Sequence, residues 1–186
     1  MKKYLFISGL VIISFSACKS GHPVGANGVE YKSALEYNNY IIDRQKKIVE
    51  GIKSYADALQ ISTDAGDKEL DKVIGVVSTS LTDVQGMPAY NNDSAFRDAA
   101  IDLLAFYKKS FSRDFKEMLE IRKKIQDSTQ TDNDMQRFNE IKDNVSKTEG
   151  PLDEKMKEAQ GRFAKNNKLD LSDSSVQDEI DNLKKK

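Results

Sequence analysis

Apolar side chains along this chain recur at intervals of three and four, with mostly charged residues between them. That is the period of an amphipathic helix, not the alternation of a strand. A first stripe of Ala34, Ile41, Ile48, Ile52, Tyr55 and Leu59 predicts a long helix over 29–59. Thr63-Asp64-Ala65-Gly66 interrupts it, and Asp67 offers a cap for a second helix through Leu70, Val73 or Ile74, Val77, Leu81 and Val84. Gly86-Met87-Pro88 stops that helix. Gly75, inside it, costs about 1 kcal/mol relative to alanine and is expected to make room for a close helix crossing.

Asn91-Asn92-Asp93-Ser94 supplies the next caps. A third helix follows through Phe96, Ala100, Leu103, Tyr107, Phe111, Met118, Ile121 and Ile125, with Phe106 and Phe115 beside the stripe and free to face outward. After the polar turn 128–132, a fourth stripe runs through Met135, Phe138, Ile141, Val145, Leu152, Met156, Ala159 and Phe163. Gly150-Pro151 lies within it; an interior proline removes a backbone hydrogen bond, so this helix is expected to kink there while both halves face one core. Ser172-Asp173, then Val176, Ile180 and Leu183, predict a short C-terminal helix ending in three lysines. Four long amphipathic segments with short polar turns predict an all-α, antiparallel up-down-up-down bundle.

Two polar residues stand in the first apolar stripe. Asn38 and Gln45 replace the Leu or Ile a dry core would carry, and buried amides need partners. One reading is a hydrogen-bonded pair that sets register against another helix; the other is a polar ligand-binding position inside the bundle.

The first eighteen residues follow a different pattern. Lys2 and Lys3 precede an apolar run, residues 4–13, too short to span a bilayer permanently, and Ser16-Ala17 then supplies the small residues a signal peptidase accepts. Residues 1–17 therefore predict a signal peptide, cleaved between Ala17 and Cys18. Cysteine at that point resembles the bacterial lipobox, although Phe15 stands where an aliphatic residue is usual; the resemblance implies acylation of Cys18 and a membrane anchor made of lipid. Lys19, in place of an aspartate, favours the outer membrane over the inner. Residues 18–28, small, polar and rich in glycine, predict a lipidated cysteine on a flexible tether, leaving 29–186 as the bundle domain.

Composition narrows the chemistry. The chain has 186 residues, 29 basic and 30 acidic, so its net charge of -1 gives no footprint for nucleic acid. One cysteine excludes an internal disulfide, and the single histidine, His22, lies in the tether, which removes the commonest hydrolytic triads and metal sites from the body. Phosphate-loop and dinucleotide motifs are absent. These readings predict no catalytic residues, no metal and no cofactor.

The segment Ala34-Leu35-Glu36-Tyr37-Asn38-Asn39-Tyr40-Ile41-Ile42-Asp43-Arg44-Gln45, behind a lipobox and tether, resembles the opening of helical-bundle envelope and surface lipoproteins of the Bacteroidota and spirochaete type. The resemblance covers about the first third of the chain and implies a location and a fold, with no activity or site residues. The expected role is a non-enzymatic binding or scaffold protein with a protein partner at the envelope. The alternative is a carrier of a small apolar or amphipathic ligand fixed by Asn38 and Gln45.

Overall fold

A computed structural model describes residues 22–171. The signal peptide, Ala17, Cys18 and the predicted C-terminal helix lie outside the described residues. Within them, regular structure is helical and no strand forms. The elements are α1 (Ala34–Ile61), α2 (Thr63–Gln85), α3 (Ala95–Lys109), a π-helical turn (Ser110–Phe115), α4 (Lys116–Gln126) and α5 (Asp132–Asn166).

Each boundary has a local cause. The break expected over Thr63 to Gly66 is a single residue. Extended Ser62 ends α1 by donating its N–H to the Ala58 carbonyl at 3.1 Å, and its hydroxyl accepts the Ala65 N–H at 3.0 Å to open α2. Asn91 and Asn92 take the left-handed conformation that asparagine tolerates, and Asp93 accepts the Ala95 N–H. Thr131 and Asp134 close a reciprocal capping box at the start of α5. α5 then runs through Gly150-Pro151 as one helix, with Pro151 on its exposed side.

Pairs between neighbouring helices occur in opposite order along each partner. From α1 to α2, Tyr37 meets Pro88, Arg44 meets Asp83 and Gly51 meets Val73. From α2 onward, Thr63 meets Gln126, Asp67 meets Lys123 and Met87 meets Arg97. Along α5, Asp134 meets Lys124, Arg137 meets Glu117, Glu149 meets Tyr107 and Phe163 meets Phe96. The core between them holds Ile41, Ile48, Leu70, Val77, Val84, Leu103 and Met156, all from the predicted stripes.

The expectation of a close helix crossing at Gly75 is corrected. A Cβ at Gly75 would meet nothing within 4 Å, so no helix crosses closely there. The close approaches fall at Gly51, where a Cβ would lie 3.1 Å from Val73, and at Gly66, where it would collide with Leu59.

The third helical stretch departs furthest from its prediction. Leu103, Tyr107, Phe111, Phe115 and Leu119 recur every four residues, and each such step advances an α-helix about 40° past a full turn. The π turn absorbs the drift, because its hydrogen bonds reach back one residue further. Tyr107 stacks on Phe111 and Phe111 meets Phe115 edge-on, so the aromatics stay in line. Beyond the turn the buried position is Leu119 instead of Met118, and Ile125 is exposed.

Candidate functional site

Asn38 is fully buried, and its amide is occupied within the protein. Gln160 of α5 donates to its Oδ1 at 2.9 Å, and its Nδ2 donates to Asn39 at 3.1 Å. This bond joins α1 to α5 across the core, which matches the register-setting reading of Asn38. Gln45 is only half-buried and is not brought together with Asn38. Neither residue lines the grooves described below.

The stretch expected to be a flexible tether is, from residue 23 onward, a turn docked on the bundle. Gly25 donates to Val29, Tyr31 donates to Pro23, and the Asn27 N–H reaches the Gly86 carbonyl. The Asn27 side-chain amide then donates to the Tyr31 hydroxyl at 2.7 Å, the Tyr40 hydroxyl at 3.3 Å and the Asp83 carbonyl at 3.0 Å. Gly86 is required here, since a Cβ would strike Asn27. Glycine and proline content suggested mobility; the contacts that remove it come from the far end of α2. His22 stays exposed at the start of this turn.

Beneath the turn lies a ring cluster. Tyr37 packs on Tyr31, Tyr90 and Phe163, and Phe163 on Phe96, with centroids 5.2 to 5.5 Å apart. Burial pushes the Tyr31 hydroxyl up to about 12 and the Tyr37 hydroxyl upward as well, so both remain neutral donors. Val24 of the docked turn is 61% exposed, while the core at this end is sealed by rings.

The opposite end is not. Ile61 is 82% exposed, Met135 41% and Ile125 38%, and all three lie where α1, α4 and α5 terminate or begin. Beside them an apolar groove of about 210 Å³ is lined by Tyr55, Leu59, Phe115, Met118 and Phe138, with Arg122 at its edge donating to the Leu59 carbonyl. Charges frame this end: Lys116 and Lys123 converge on Asp67, and Arg137 grips Glu117 with two bonds. Hydrogen bonds from Lys116 hold the Asp67 carboxyl below its usual range, and Lys124 with Thr131 brings Asp134 down to about 2. The grouping was not legible beforehand, because Ile61, Ile125 and Met135 sit on three helices and become neighbours only in the fold.

An apolar concavity rimmed by charge has the shape and chemistry to hold an apolar group. Among the described residues no three His, Cys, Asp or Glu side chains are placed to hold a metal, and no helix is long and apolar enough to cross a membrane. Comparison with protein-family models, curated proteins and solved structures gives no match for this chain.

Proposed function

We propose that this chain is a lipoprotein held at the bacterial envelope, on the outer membrane, through acylated Cys18, and that it acts without catalysis by presenting the open end of its bundle to a protein partner. The observation that carries this reading is the concentration of Ile61, Ile125 and Met135 around the groove of Tyr55, Leu59 and Met118, while the other end is closed by tyrosines. In this reading the helices alternate up and down, as the reversed order of their contact pairs suggests, with a bend at Pro151.

The anchor and the open end are related by length. Cys18 precedes Pro23 by five residues, at most about 18 Å of chain, so the tyrosine end stays near the acylated residue. α1, with 28 residues, then extends about 42 Å toward the other end. The bundle is thus a spacer with its binding surface directed away from the lipid.

Labelling with a palmitate analogue tests the anchor, and Cys18→Ser should abolish it. Pull-down from detergent-solubilised envelope tests the surface: the combined Ile61→Ser, Ile125→Ser, Met135→Ser variant should recover less of the partner than the parent. Equal recovery would overturn the assignment of this end, and unlabelled Cys18 would overturn the anchor.

A further inference from the structure

We infer a second binding site, in the groove between α1 and α2, for an oxyanion carried on a polar body of about monosaccharide size. The groove has a volume of about 320 Å³ and is lined by Arg44, Lys47, Lys72, Gly75, Thr79 and Ser80, together with Asp83. Three cations and two hydroxyls thus face a space in the size range of small-molecule sites.

Gly75 lies in the lining of this groove. Glycine in mid-helix weakens α2, and here no packing requires it, since a side chain would meet nothing within 4 Å. What its missing side chain provides is the floor of the groove. Arg44 is fixed above that floor: its guanidinium carbon lies 3.3 Å from the Tyr40 ring centroid, and Nε and Nη2 both bond Asp83. Nη1 reaches the Tyr40 carbonyl and Asp43, so four of its five N–H groups are engaged and one remains among the described residues. Asp83 and Arg44 offset one another, which leaves Lys47 and Lys72 as the cations that can meet an anion.

The two lysines are differently placed. Lys47 pairs with Asp43 and Lys72 with Glu69, each an exposed ammonium on a partly buried carboxylate of its own helix. Such pairs contribute little and exchange readily, so both ammonium groups can turn from their carboxylates to a ligand between the helices. Lys47 and Lys72 would take the oxyanion, and Thr79 and Ser80 would hydrogen-bond the hydroxyls of its polar body. This site is independent of the anchor and of the open end.

Titration of the full chain with glucuronate, followed by amide chemical shifts, tests the inference, with glucose as the neutral control at matched ionic strength. Saturable shifts at Gly75, Thr79 and Ser80 are expected with glucuronate, at an affinity about tenfold or more above that for glucose. Gly75→Gln should remove binding while leaving thermal stability unchanged or higher. Gly161→Gln, at another helical glycine whose Cβ would meet nothing, should leave binding intact. Lys47→Gln with Lys72→Gln should weaken binding about tenfold. Glucuronate shifts that match those of glucose, or that survive Gly75→Gln, would overturn the proposal.

Discussion

The two ends of this bundle are built from opposite materials. At the tyrosine end, rings from α1, the α2–α3 connection, α3 and α5 share one buried cluster, and Asn27 ties the incoming chain over it. At the open end, buried Tyr55, Leu70 and Leu119 lie under ion pairs made by lysines and arginines, while isoleucine and methionine face solvent. Burial of apolar area contributes far more than surface ion pairs, so the ring cluster of the first end outweighs the ion pairs of the second in stability.

The largest break in that contrast should come from Phe163→Ala. Loss of a fully buried ring contacting Tyr37, Tyr90 and Phe96 should cost about 3–5 kcal/mol in urea denaturation. Asn38→Leu should cost about 1–3 kcal/mol by leaving the Gln160 amide without its acceptor, and adding Gln160→Leu should recover part of the loss in a double-mutant cycle. The glycines sharpen the comparison in both directions. Gly66→Ala, forced against Leu59, should destabilise by about 1–3 kcal/mol, whereas Gly75→Ala should stabilise by up to about 1 kcal/mol.

Proton dependence probes both ends, with tyrosines acting in alkali and paired carboxylates in acid. Tyr31, raised from 10.0 to about 12, stabilises the fold fully below about pH 10, and that contribution is lost as pH rises through its folded value; Tyr31→Phe should flatten this alkaline arm. Asp67, Glu117 and Asp134 have lowered values, so their contributions are present above about pH 4 and lost as pH falls. Asp67→Asn should reduce the acid slope by less than about 1 kcal/mol, because the pair is partly solvated. Smallest of all, the triple serine variant of Ile61, Ile125 and Met135 should change stability by no more than about 0.5 kcal/mol while weakening capture of the partner.

Where a stripe of apolar residues lies on a plain α-helix, the sequence was enough to place it. Ile41 and Ile48 in α1, and Leu70, Val77 and Val84 in α2, are buried as their spacing requires. What escaped was non-local. Asn38 finds its partner 122 residues away, and nothing around either residue announces the other. The turn at residues 23–28 has the composition of a linker, and only the end of α2 makes it a fixed cap. Gly75 looked like a packing glycine because helical glycines often are; the open space around it is a property of the α1–α2 pair.

The π turn has a consequence for inheritance. One residue corresponds to about 100° of helix rotation, so losing a single residue between Ser110 and Phe115 would turn the π turn into α geometry with Leu119 and Ile121 still in the core, whereas α geometry at the present length would swing Leu119 out. Length in this segment is therefore tied to the phase of everything up to Gln126. A homologue one residue shorter here should carry a plain α-helix with its leucine and isoleucine unchanged, whereas one of equal length without the π turn should carry its buried leucine at the place now held by Met118.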